Sequence, residues 1–144
     1  MKKMLKRAYN FLMKKKQKNM TFRVARHSND LKPLVEFYTK ILGLDLIGRF
    51  DEHDNYSGVF FGKKGCDWHL EFTQSDVKAE HTFDEDDMLV FYPNKEEYEA
   101  ILQNIETYKI STLRPVNPYW VEFGTMIADP DGFLIVISNR KAGK

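Results

Sequence analysis

Residues 128–138, ADPDGFLIVIS, limit what this chain can fold into more than any other stretch. Asp129-Pro130-Asp131-Gly132 has turn chemistry at each position: proline presets φ, and glycine is free to take φ > 0. Phe133 to Ser138 follow at strand length and are too apolar for an exposed edge, so this is a tight turn feeding a buried strand. The other segments of the chain can be arranged around it.

Residues 21–28 read as a strand, after which Asn29 or Asp30 caps a helix with apolar positions at Leu31, Leu34, Val35, Tyr38, Ile41 and Leu42. Pro33 is tolerated in the first turn of that helix, and Gly43 stops it. Strands are expected near 44–50, 56–61 and 67–73, joined by turns at 51–55 and 62–65. After an acidic loop the order repeats. A strand at 88–92 precedes a helix capped by Asn94, with Glu97 three residues on and apolar positions at Tyr98, Ile101, Leu102 and Ile105. Strands near 110–114, 121–128 and 133–138 complete a second βαβββ unit.

The 144 residues and 42% hydrophobic content suit a single domain spanning 20–144, with units at about 20–75 and 86–140. The net charge of +1 conceals an asymmetry. Residues 1–19 carry eight Lys or Arg and no acid, leaving 14 basic against 21 acidic residues, or −7, for the rest. A body this acidic is a poor binder of nucleic acid. The basic extension places Leu5, Ala8, Tyr9 and Leu12 at helical spacing, as either a cationic membrane-surface helix or a frayed leader. No segment reaches transmembrane or secretory length, and Cys66 is the only cysteine, so a cytoplasmic location is expected.

Asn29-Asp30-Leu31, then Phe37-Tyr38-Thr39-Lys40-Ile41-Leu42-Gly43-Leu44, then the late Asp-Pro-Asp-Gly strand together resemble the vicinal-oxygen-chelate proteins. That superfamily includes glyoxalase I, ring-cleaving dioxygenases and bleomycin-resistance proteins. The resemblance runs from about Thr21 to Asn139. It implies an α+β fold of two βαβββ units whose curved mixed sheets form a cup with helices outside, and commonly a homodimer.

The resemblance also places four metal positions, and here they fall on Arg23, Glu71, Asp87 or a neighbour, and Val136. Valine has no lone pair and arginine carries a fixed positive charge, so two of the four are incompatible with a cation. A resident divalent metal is therefore disfavoured, and no residue is assigned as a metal ligand. Arg23 needs a counter-charge, and Glu71 is the obvious partner; alternatively, Arg23 holds a carboxylate or phosphate of a ligand. His69 shares a strand face with Glu71, and His27 shares one with Arg23, so a shifted two-His, one-carboxylate site is the competing arrangement. Tyr119 and Trp120 are candidate lining residues, with Phe50, Tyr56, Phe60 and Trp68 as further neighbours. Parity sets Trp68, Leu70 and Phe72 against the first helix.

No nucleophile elbow, zinc-protease helix, Walker loop or Cys-x-x-Cys occurs. The expected function is metal-independent binding of a small molecule through Arg23, His27, His69, Glu71, Tyr119 and Trp120. The alternatives are a divalent-metal-dependent glyoxalase-like lyase or isomerase with Glu71 as catalytic residue, and a partner-binding module.

Overall fold

The computed structural model describes Lys3, Lys6 and residues 20–143; the leader helix expected through Leu5, Ala8, Tyr9 and Leu12 lies outside them. The described chain divides into two units, residues 20–39 with 44–80, and residues 40–43 with 81–143. Among the described residues no helix is long and apolar enough to cross a membrane.

The first unit opens with β1 (Phe22–His27), followed by α1 (Leu31–Glu36). Asp30 caps α1 by accepting from the Lys32 N–H. The chain then widens into a π-helical turn, Phe37–Ile41, where the Thr39 hydroxyl donates to the Val35 carbonyl. Gly43 takes φ +68°, the left-handed stop expected of it, and the Leu44 N–H closes the end on the Tyr38 carbonyl. Next come β2 (Asp45–His53), β3 (Tyr56–Gly62) and β4 (Trp68–Ser75). The sheet order is β1-β4-β3-β2, with β1 parallel to β4 and the other pairs antiparallel. One sheet face packs under α1 and the turn after it: Tyr38 stacks on Phe61 at 5.2 Å and lies tilted against Phe72 at 5.0 Å, all three fully buried. Burial of each such ring contributes about 1.5–3 kcal/mol. The expected turn at 51–55 is tighter than its sequence suggests. β2 runs on to His53, and Asp54 and Asn55 close the hairpin at φ +50° and +67°.

The second unit repeats the first, with one strand reduced. β5 (Met88–Phe91) leads to α2 (Lys95–Thr107), whose Asn94–Glu97 capping box is present and whose Ile101 and Ile105 are buried. The strand expected at 110–114 is a single bridge, Leu113 to Met126. Residues 121–123, expected to begin the strand at 121–128, belong instead to the short helix α3 (Pro118–Phe123). Pro115 cannot donate to a ladder, and Asn117 accepts from the Tyr119 N–H with Pro118 at the helix start, so the local signals favour a helix. β6 (Gly124–Ala128) and β7 (Leu134–Ser138) finish a sheet ordered β5-β7-β6, again with its first strand parallel to its last.

The Asp-Pro-Asp-Gly turn holds β6 to β7 through one buried carboxylate. Asp129 Oδ1 accepts from the N–H groups of Asp131 and Phe133, each at 2.9 Å, while Gly132 sits at φ +95°. Behind it Ile135, Val136 and Ile137 are fully buried. Asp129→Ala strands two backbone donors, one of them buried. It is expected to lower unfolding free energy by ~1–3 kcal/mol in urea titration; an unchanged midpoint would show that the turn does not depend on this side chain.

Candidate functional site

On the other face of the first sheet, strand alternation and the β1–β4 register bring distant residues together. Arg23 lies beside His69, Ala25 beside Glu71 and His27 beside Thr73. β3 continues the rows with Phe60 opposite Glu71 and Gly58 opposite Thr73, and β2 adds Gly48 and Phe50. Arg23 is the hub. Its Nε–H donates to His69 Nε2 at 2.6 Å and its Nη1 to Glu71 Oε2 at 2.8 Å. Its guanidinium carbon also lies 5.1 Å from the centre of the Phe60 ring, within cation–π range. The ion pair expected from the sequence is thus present, and half open: the Arg23 and Glu71 side chains are 31% and 16% exposed, whereas His69 is buried.

Accepting from Arg23 at Nε2 leaves the ring proton of His69 on Nδ1 in the neutral imidazole. Burial lowers the pKa of His69 below its ordinary 6.5, and the positive charge of Arg23 lowers it further. Phe50 crosses over Gly58, where a Cβ would run into its ring, and reaches Phe60 with ring centres 5.9 Å apart. At the end of this row, the buried His53 edges onto Phe50 at 6.4 Å, and its Nε2 has no hydrogen-bond partner among the described residues. The turn expected at 51–55 takes in His53, which the structure places on β2 as the cross-strand partner of Tyr56; the local signal for this is Asp54-Asn55, residue types favoured in two-residue hairpin turns.

The remaining expected site residues fall on other elements or engage other partners. His27 is on the same face but shares a 3.1 Å hydrogen bond with Ser75 Oγ, two rungs from Arg23. Tyr119 and Trp120 belong to α3 of the second unit, in contact with each other at 4.8 Å and near Phe123 and Tyr92. Asp87 is exposed in the turn before β5, its N–H bonded to the Asp84 carbonyl. Val136 is fully buried in the central strand of the second sheet.

Residues 22–73 match the YycE-like N-terminal domain and residues 86–139 the YycE-like C-terminal domain. The uncharacterized protein YycE of Bacillus subtilis is 40% identical over 124 residues, 83% of this chain and 87% of YycE. The chain belongs to the YycE-like family. A crystal structure of B. subtilis YycE, described as a candidate glyoxalase/fosfomycin resistance protein of unknown function, superposes with a TM-score of 0.76 at 39% identity. That superposition covers 86% of this chain and 93% of YycE. A glyoxylase/bleomycin resistance protein/dioxygenase domain from Frankia sp. shares the fold at TM-score 0.64 and 17% identity, over 89% and 96% of the two chains. So does a variant of the fosfomycin resistance protein FosX from Listeria monocytogenes, complexed with Mn(II) and a dihydroxypropylphosphonic acid. Its TM-score is 0.62 at 16% identity, over 88% and 95%. The fold is that of the vicinal-oxygen-chelate superfamily, as the motifs implied.

The side chains at the superfamily's metal positions do not fit a cation. Among the described residues no three His, Cys, Asp or Glu groups stand close enough to hold an ion. His69 and Glu71 are near each other, but the guanidinium of Arg23 donates to both, so His69 Nε2 and Glu71 Oε2 each face an N–H group.

Arg23→Ala leaves Glu71 without its cation and His69 without its donor. A loss of ~1–3 kcal/mol is expected in chemical denaturation, partly recovered in Arg23→Ala/Glu71→Ala. The depressed His69 pKa makes the unfolded chain bind the proton first on acidification. Its stabilising contribution is therefore complete above pH 6.5 and shrinks as pH falls below that value. The melting temperature of His69→Gln is expected to fall less than that of the unmodified protein as pH is lowered from neutrality. Parallel curves would remove His69 as the source.

Proposed function

We propose that this protein binds a small molecule at the partly exposed Arg23–Glu71 pair, on the face of its first sheet opposite α1, without a resident divalent metal. The observation that carries this reading is the position of the guanidinium, which hydrogen-bonds to both side chains that a metal would recruit there. A permanent cation already supplies the positive charge that a divalent ion would bring to a ligand, and repels a second cation. Ala25, exposed beside Glu71, leaves the approach clear. The buried Phe60 beneath the guanidinium restricts its tilt, so the donors are held in place before a ligand arrives. His69 is a positioning residue, acting through the Nε–H of Arg23.

The test is elemental analysis of the purified protein together with calorimetric titration of Zn²⁺, Ni²⁺ and Mn²⁺. The unmodified protein is expected to hold no stoichiometric ion. Arg23→His should acquire measurable affinity, because it sets a second imidazole beside His69 and Glu71 in one parallel strand pair and completes a two-His, one-carboxylate set. A tightly held ion in the unmodified protein would overturn the reading and favour a metal-dependent glyoxalase-like lyase or isomerase.

A further inference from the structure

We infer that the group recognised at Arg23 and Glu71 is electrically neutral and offers an acceptor and a donor side by side, as a carboxamide, lactam or imide does. The inference rests on the metal-free reading above and goes on to say what the site selects.

It follows from which hydrogen-bonding atoms are already used. A guanidinium has five N–H groups. Arg23 gives Nε–H to His69 and one Nη1–H to Glu71, so three donors remain on a side chain that is 31% exposed. The ion pair is single-pointed: Glu71 engages through Oε2, and its Oε1 makes no hydrogen bond among the described residues. Donors and an acceptor therefore lie next to one another at the same opening. A carboxamide matches both, its oxygen accepting from Arg23 and its N–H donating to Oε1. A carboxylate satisfies only Arg23, and an amidinium only Glu71.

Charge points the same way. Arg23 and Glu71 cancel, and His69, accepting from Arg23, is neutral. A bare anion drawn to Arg23 meets the Glu71 carboxylate, and a bare cation meets the guanidinium. Either ion also sheds hydration that the neutral cluster does not replace, and a neutral amide escapes both penalties.

Three probes of one shape separate these cases: benzamide, benzoate and benzamidine, titrated by NMR against isotope-labelled protein at neutral pH and low salt. Benzamide is expected to bind roughly tenfold more tightly than either ion, moving the Arg23 Nε–H and Ala25 amide signals. In Glu71→Gln the cluster becomes cationic, and benzoate should overtake benzamide. Benzoate binding best to the unmodified protein, an unchanged order in Glu71→Gln, or benzamide shifts remote from Arg23 would each overturn the inference, as would no binding by any probe. The signal map of the unmodified protein decides the question if Glu71→Gln does not fold. Failure of the metal-free reading is seen separately, as a divalent ion in the purified protein.

Discussion

The parallel pairing of a first strand with a last one is the constraint on which each unit depends. A parallel pair cannot be closed by a hairpin, so the chain must cross over, and α1 in the first unit and α2 in the second begin that crossover. In the first unit this pairing sets Arg23 against His69 and Ala25 against Glu71, residues that are nearly fifty positions apart in the chain. A slip of one residue would turn Arg23 to the other face, the one lined by Leu70, Phe72 and Tyr38, and away from His69 and Glu71. The hydrophobic face under α1 therefore fixes the polar face as well.

The polar face is organised by the guanidinium of Arg23. A guanidinium has donors and no acceptor, so the hydrogen bonds to His69 and Glu71 run outward from it. That polarity is the opposite of a metal site, where imidazole and carboxylate lone pairs converge on an ion. A fold shared by FosX and this chain does not by itself fix which side chains occupy such a face.

The second unit shows how far local chemistry can reshape a repeat without breaking it. Its parallel pair, crossover helix and final hairpin match those of the first unit, yet the Pro115–Pro118 region replaces a strand by one bridge and a short helix. The sheet stays intact because β7, its central strand, finds both neighbours in β5 and β6. The Asp129 carboxylate then holds the β6–β7 turn from within.

The sequence by itself determined the order of the elements and most of the elements themselves, the strand expected at 110–114 and the start of the one expected at 121–128 being the exceptions. The 3.6-residue pattern of Leu31, Leu34 and Tyr38, the Asn94–Glu97 cap, Gly43 and the Asp129–Gly132 turn are local signals, and local sterics and hydrogen bonds act on them directly. The pairing of Arg23 with Glu71 was also legible, since strand parity and an unmatched charge leave few partners. What only the tertiary structure decided depends on register and cross-strand contact. Examples are the Nε–H to His69 bond that fixes an imidazole tautomer, the Phe60 ring beneath the guanidinium, and the single-point pairing that leaves Glu71 Oε1 unused. The register of β2 beyond Phe50 belongs with them, because His53 meets Tyr56 only after an irregularity in the β2–β3 pairing. These features are set by distances of a few ångströms between strands that are remote in sequence, and such distances come only from packing the whole unit at once.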